Sequence, residues 1–410
     1  MCWPTAKTML EFTRQQVLAF RLHRQYLSER AAPEQLLQVA SLGIQNTPPG
    51  SALLASGARL DNFSPAEFSR ALHQHKTLIQ LWSLRSAPYI FPVSSAPTFT
   101  TGLLPDDETS ALHFMRGATA HLKRFNLSAT KAIELTGDAL QEVLADGAEL
   151  TKDEMGVRLA EEIAQSLPLN QRQQWDEPDG LRKNTYGQSI VRYALSVVSL
   201  FGTLCFAPAR GSHAARLTLT EKWLGAPISK TDTSLARADL VRHFLHYFGP
   251  GKPQGFAIWS GVSLEYAKTS WSYIVDELIS ISVHGRKLWV LAGDLDFIQD
   301  APFPGGVRLL PPHDPYLSTP DKIMLVPDKI LRQRIWRKVG SPGVVLINGE
   351  ISGIWHPKKR GGVLSLKIEL FSSIDEVLRE HIQEAAEQIA LLRQTRLLSV
   401  NYNIFDGNDD

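Results

Sequence analysis

Three times along this chain a stretch of helical apolar spacing ends in a pair of short β-branched runs joined by a turn. That recurring order limits the folds open to the chain more than any single motif does. In residues 226–300 the apolar positions Leu235, Leu240, Phe244, Leu245 and Phe248 fall on a helical period and stop at Gly249-Pro250. A short segment from Gln254 to Trp259 follows. Ser263 then has the character of an N-cap for a further helix carrying Tyr266, Ala267, Trp271, Ile274 and Val275. Residues 278–283 and 287–291 are strand-like runs that meet at His284-Gly285, a dipeptide suited to a tight hairpin. Residues 105–225 repeat the order: helices are predicted over 128–144, 152–167 and 185–200, then strands over 201–206 and 215–219. Residues 1–104 follow with helices at 8–28 and 33–42, a Pro48-Pro49-Gly50 break and a short helix over 51–60. Another helix is capped by Ser64 with Pro65 in its first turn, and apolar runs at 77–84 and 88–93 end the unit. Helices followed by a β-hairpin is the order of a winged helix, a helix-turn-helix with a β wing.

The last hundred residues are patterned differently. Strands are predicted over 307–310, 344–347, 351–355 and 363–370, with Asn348-Gly349 as a hairpin turn between two of them. A long amphipathic helix over 374–398 precedes an acidic end, Asn408-Asp409-Asp410. The expected architecture is α+β: tandem winged-helix motifs over 1–104, 105–225 and 226–300, followed by a small β-rich domain, a partial barrel, over 301–410.

Composition removes several alternatives. With 410 residues, 43% of them hydrophobic and 21% charged, the chain can bury more than one core and is not a disordered tail. Lys and Arg number 43 against 42 Asp and Glu, a formal charge of +1, which excludes a uniformly basic protein and leaves room for a local basic face. Only Cys2 and Cys205 are present, too few for a disulfide framework or a Cys-based zinc site. There is no GxxxxGK[ST], no HExxH, no GxSxG and no HxE with PCxxC; Gly249-Pro250-Gly251-Lys252 is too short for a phosphate loop, and Pro253 follows it. The close histidine pairs, His73 with His75 and His243 with His246, lack a third ligand nearby. Neither a metal nor a cofactor is expected. The first residues lack a long apolar segment and no run of about 18 apolar residues occurs, so the expectation is a cytoplasmic chain with no membrane span.

Several ordered segments carry a resemblance. They are Leu42-Gly43-Ile44-Gln45, Ser51-Ala52-Leu53-Leu54-Ala55, Ala58-Arg59-Leu60, Leu81-Trp82-Ser83-Leu84-Arg85, Phe248-Gly249-Pro250 and Phe256-Ala257-Ile258-Trp259-Ser260-Gly261. Late in the chain come Leu309-Leu310-Pro311-Pro312-His313-Asp314-Pro315-Tyr316-Leu317 and Asn348-Gly349-Glu350-Ile351-Ser352-Gly353-Ile354-Trp355. Together they resemble the bacterial winged-helix DNA glycosylases that unhook interstrand crosslinks and excise alkylated bases, the AlkZ-like and YcaQ-like proteins. The resemblance implies tandem winged helices forming a curved surface for double-stranded DNA, alkylated or crosslinked, with a β-rich C-terminal part. It implies a monofunctional glycosylase without a cofactor. The family's catalytic signature, Gln, any residue, then Gln or Asp, falls on Gln45-Asn46-Thr47, which makes Gln45 and Thr47 the catalytic candidates. Thr47 departs from the pattern with a hydroxyl, and Ser86-Ala87-Pro88-Tyr89 stands where a Thr-Leu-His segment is common.

Cleavage of an N-glycosidic bond develops positive charge on the sugar, so the enzyme must place a water and tolerate that charge. An alkylated purine already leaves well, and positioning then suffices without a strong general base. Gln45 and Thr47 could hold such a water between them, Thr47 with less reach and no charge. The plainer reading makes Thr47 a helix N-cap with Pro48 and Pro49 in the first turn and gives Gln45 a turn-stabilising role. The alternative function is a double-stranded DNA-binding protein, a regulator or damage sensor, that has lost the second catalytic residue.

Affinity for DNA is expected from phosphate contacts. Between 327 and 360, Lys329, Arg332, Arg334, Arg337, Lys338, Lys358, Lys359 and Arg360 face only Asp328 and Glu350. Arg210, His213 and Arg216 flank the second wing tip, Arg286 and Lys287 the third, and Arg85 ends a strand of the first unit. Trp336 and Trp355 are readable either as base-stacking or as core residues. His313-Asp314-Pro315-Tyr316 has the form of a fixed turn. No coiled-coil seam is apparent, so a monomer associated with the nucleoid is the expectation.

Overall fold

The computed structural model describes residues 9–180, 184–208 and 215–405. The chain divides into two compact units. One contains the described residues up to Phe68, then Val241–Phe256, then those from Ile274 onward; the other contains Ser69–Leu240 and Ala257–Tyr273.

The first unit is organised by two sheets. Leu278–Val283 and Arg286–Leu291 form an antiparallel hairpin. Its turn residues His284 and Gly285 both have positive φ, 49° and 71°, as a two-residue hairpin of the right twist demands. Leu10–Phe12 adds a third strand, parallel to Leu278–Val283. The reading of a helix from 8 to 28 is therefore corrected: a short strand precedes the helix Arg14–Arg24. Thr13 separates them, because its hydroxyl accepts the Gln16 N–H while the Gln16 side chain accepts the Thr13 N–H, a capping box that fixes the helix start.

The second sheet of this unit has five strands in the order Val307–Leu310, Gly343–Ile347, Glu350–Arg360, Val363–Leu370 and Arg396–Ile404. Val307–Leu310 and Arg396–Ile404 are its edges, so among the described residues the sheet does not close into a barrel. Asn348 and Gly349, at φ 46° and 77°, make the hairpin turn foreseen for them. The helix predicted over 374–398 ends at Leu392; Arg396–Ile404 is a strand parallel to Val363–Leu370, and Glu376–Leu392 is the crossover between them. Leu398, Val400, Tyr402 and Ile404 alternate with a period of two, but the apolar pairs Leu391-Leu392 and Leu397-Leu398 fit a helical period equally well. Glu376–Leu392 approaches the helix Ser51–Gly57 so closely that a Cβ on Gly57 would lie 2.3 Å from Leu392 Cδ1, which excludes any larger residue without movement.

One core joins these elements: Phe12, Val17, Phe20, Ile281, Val290, Leu310, Val344 and Ile354 all belong to a single buried cluster. Beside it lies a fully buried ion pair, Arg59 with Asp314, both nitrogen–oxygen contacts at 2.7 Å. The turn read at 313–316 is thus held from inside, with Asp314 also accepting the Tyr316 N–H at 2.9 Å.

In the second unit the helices Ala129–Val143, Lys152–Ser166 and Tyr186–Val198 are capped by Ser128, Thr151 and Thr185, whose hydroxyls each accept an amide three residues on. Arg216–Leu219 lies between Leu150–Thr151 and Leu204–Ala207 in a three-stranded sheet. Leu78–Trp82 and Pro88–Pro92 form a further hairpin, and Trp82 meets Phe206 edge-on at 4.8 Å.

Breaking the buried pair on one side is expected to be severe. Asp314→Ala leaves the Arg59 guanidinium uncompensated and should lower unfolding free energy by about 3–5 kcal/mol in denaturant titrations. A loss within a few tenths of the error would show the pair to be dispensable.

Candidate active site and nucleic-acid interface

The Gln45 segment begins where the helix Leu36–Ala40 ends and the chain turns through Gly43 at φ 70° into a two-residue strand, Ile44–Gln45. Ile44 is fully buried and Gln45 is 8% exposed, so the amide of Gln45 is an interior group. Asn46 acts as a cap, since its Oδ1 accepts the Gly50 N–H at 2.9 Å and the Ala52 N–H at 3.3 Å. These bonds close the start of Ser51–Gly57, whose N-cap position is Gly50, a residue with no side chain to do so. The reading of Thr47 as that cap is corrected. Thr47 is exposed, and Pro48 and Pro49 precede the helix instead of forming its first turn.

The segment is held from behind by the first unit's part of the helix Thr233–Phe248. His243 Nε2 donates to the Leu42 carbonyl at 3.2 Å, Tyr247 and Ser41 share a hydroxyl–hydroxyl bond at 3.2 Å, and Gln25 Nε2 donates to the Tyr247 carbonyl at 2.9 Å. Arg59 Nε closes this chain of bonds by donating to the Gln25 carbonyl at 2.9 Å. Burial of the His243 ring, packed against Tyr247 and Phe248, pushes its pKa down to about 3, so the ring is neutral with its proton on Nε2. Sequence inspection missed His243 and Tyr247, because they contact the loop across some two hundred residues of chain. It also missed the capping by Asn46, which an Asn ahead of Pro-Pro-Gly-Ser signals.

Residues 41–50 contain no ionisable side chain. Such a loop can orient a water through an amide and a hydroxyl but cannot take its proton at neutral pH. It fits a reaction whose leaving group is already activated.

The basic candidates separate into those already engaged and those that are open. Arg85 sits in the Leu78–Trp82 to Pro88–Pro92 turn at φ 54° and donates to the Trp259 carbonyl and the Tyr89 hydroxyl. Gly261 allows this, since a Cβ there would meet Arg85 Cα at 2.8 Å. Arg216 donates to the Glu149 carbonyl, Arg286 pairs with Asp321 at 2.9 Å, and Lys287 lies 5.3 Å from the Trp289 ring. Arg332 donates to the Val326 and Pro327 carbonyls, Arg334 pairs with Glu369 at 2.7 Å, and Arg337 donates to the Arg334 carbonyl. Arg210 and His213 lie outside the described residues. Lys338, Lys358, Lys359 and Arg360 are exposed and, among the described residues, have no acidic partner. The register pairs Arg360 with Val363, which puts Lys358-Lys359-Arg360 at the tip of a long hairpin closed by Gly361-Gly362. Burial, and then the charge of Arg337, hold His356 below the usual histidine range, so Arg337 lies near the strand that carries the tip. Trp355 is fully buried and donates to the Leu310 carbonyl, which makes it a core residue; Trp336 is partly buried against the core and donates to the Leu317 carbonyl.

These features sit in a chain that comparison places among base-excising enzymes. A family model described as AlkZ-like DNA glycosylase matches residues 40–392, most of the length, and the chain belongs to that family. Its enzyme class is accordingly DNA glycosylase. An interstrand DNA cross-link repair glycosylase of Streptomyces sahachiroi is 25% identical over 366 residues, which is 83% of this chain and 86% of that protein. The solved structure of the Streptomyces sahachiroi DNA glycosylase AlkZ superposes with a TM-score of 0.76 at 22% identity, covering 96% of this chain and all of the other, and so shares the fold.

Two measurements test the loop. Asn46→Ala should cost about 1 kcal/mol in stability, and Asn46→Asp should retain most of it. Because the folded pKa of His243 lies below the unfolded 6.5, its contribution is complete above about pH 6.5 and is lost as pH falls towards about 3. His243→Gln, which keeps a donor for Leu42, should flatten the stability–pH curve in that window; an unchanged curve would remove His243 from the account.

Proposed function

We propose that this protein is a monofunctional glycosylase that hydrolyses the N-glycosidic bond of alkylated or crosslinked purines in double-stranded DNA. The observation that carries the reading is the buried Gln45 amide in a rigidly held, wholly uncharged loop, in a chain of this family. Gln45 orients the attacking water and Thr47, at the exposed edge, gives it a second hydrogen bond. An N-alkylated purine is cationic and departs as a neutral base, so the loop needs no acid to protonate it. The water attacks the sugar carbon as that bond breaks, and its proton passes to solvent.

The helix-then-hairpin orders act as winged-helix modules over 1–104, 105–225 and 226–300, with 301–410 as the β-rich part. Lys338, Lys358, Lys359 and Arg360 contact phosphates directly, and Arg337, Arg286 and Lys287 support them at the surface. Arg85, Arg216, Arg332 and Arg334 shape the surface through carbonyl, hydroxyl and carboxylate bonds. No helix of the described residues is long and apolar enough to cross a membrane, and no group of three or more His, Cys, Asp or Glu among them could hold a metal. The protein works where the nucleoid is.

The decisive assay uses duplex carrying N7-methylguanine or a nitrogen-mustard crosslink and reads abasic sites. Wild type should form them, and Gln45→Ala should lose roughly 10²-fold in single-turnover rate while binding duplex unchanged. Thr47→Gln should raise the rate. No product from wild type at large enzyme excess on both substrates would favour the non-catalytic binder.

A further inference from the structure

Two polar cavities in the first unit share one residue, Arg30. The first, about 260 Å³, is also lined by His23, Arg24, Gln35 and His246; the second, about 290 Å³, by Arg308, His381 and Gln388. Arg24, Arg30 and Arg308 have a common defect: the Nε–H of each is buried and has no acceptor. Arg30 makes no hydrogen bond among the described residues, only a 3.7 Å contact with the half-exposed Asp61. Arg308 makes one, to its neighbour's carbonyl, Val307. Burial, and then the charge of Arg30, push the Arg308 pKa down to about 10, which means that the two guanidiniums feel each other. An acid lines each cavity, Glu29 in the first and Glu384 in the second, yet neither pairs with any of the three arginines; Arg24 instead meets Asp294 at 2.5 Å, which also takes His246 at 3.0 Å, so the unmatched guanidiniums are those of Arg30 and Arg308.

A buried charged N–H without an acceptor is costly, and two like charges beside a shared cavity add to the cost. Arg21, Arg216, Arg237 and Arg393 also have a buried unpartnered N–H. What distinguishes Arg24, Arg30 and Arg308 is that they line adjoining cavities with three histidines. An anion in the cavities would meet the terminal guanidinium nitrogens of Arg30 and Arg308, whose nearest acid contact is the 3.7 Å one from Arg30 to Asp61, and the planar fork matches a phosphate.

We propose that the two cavities bind phosphate groups in series, with Arg30 bridging between them. The proposal deepens the DNA-binding part of the reading above, but its first measurement needs no DNA and so can fail or succeed independently. In the first arm, melting of the intact protein is followed while tripolyphosphate is added at constant ionic strength against chloride. Wild type should gain at least about 2 °C, and Arg30→Gln and Arg308→Gln should lose that gain. Arg308→Gln should also melt higher than wild type without the anion, since it removes an uncompensated charge. In the second arm, duplex affinity is measured against salt; each substitution should reduce the slope of log K against log salt by about 1 if DNA supplies the phosphates. A gain in melting with an unchanged slope supports the site and assigns it to free phosphate. A reduced slope without a gain supports it and assigns it to the backbone of DNA. No gain in wild type together with unchanged slopes in both variants would overturn the proposal. So would an Arg308→Gln protein that melts lower than wild type yet keeps the full gain.

Discussion

The first unit depends on one interaction that water never reaches. Arg59 and Asp314 are both fully buried, and their bonds tie together three parts of the chain. The guanidinium meets Asp314 with two nitrogens, the Ala55 carbonyl with one of them, and the Gln25 carbonyl with Nε. The carboxylate in turn fixes the turn that starts Pro315–Ser318. A pair of this kind contributes little net stability, because desolvation offsets the attraction, but any arrangement that leaves it unmade is strongly disfavoured. It therefore selects one packing of the end of Arg14–Arg24, the helix Ser51–Gly57 and the 313–318 turn. Through Gln25, Tyr247 and Ser41 that selection extends to the segment bearing Gln45.

What could be read from the order of residues was whatever is decided locally. His284-Gly285 and Asn348-Gly349 announce hairpins because few other residues accept two consecutive positive φ values. Ser64, Ser128 and Ser263 mark helix starts because a cap bonds three residues away. The strands Leu10–Phe12 and Arg396–Ile404 escaped notice because each is made by pairing with a distant parallel partner, which leaves only a weak local pattern. The same distinction governs the site. Gln45 was found through resemblance, whereas the support from His243 is a contact that no spacing reveals. Charge counting singled out the stretch between 327 and 360 but could not separate Arg334, engaged with Glu369, from Lys358, which faces solvent.

The neutrality of residues 41–50 has a consequence for selectivity. On the catalytic reading proposed above, a loop that supplies neither an acid for the leaving base nor a carboxylate for the sugar would leave ordinary nucleotides intact, because their bases depart too poorly. Discrimination then comes from the lesion's own reactivity as much as from its shape. Thr47 fits that proposal: a hydroxyl can steady a water without adding charge to the loop.

The final strand bears on the basic tip from an unexpected direction. Val363 is paired not only with Arg360 across the hairpin but also with Arg396, whose amide bonds the Gly362 carbonyl at 2.9 Å. The projection that presents Lys358, Lys359 and Arg360 is thus three ribbons wide right up to its tip, braced there by Arg396–Ile404. Removing Arg396–Ile404 would blunt this prow while leaving its three basic residues in the chain.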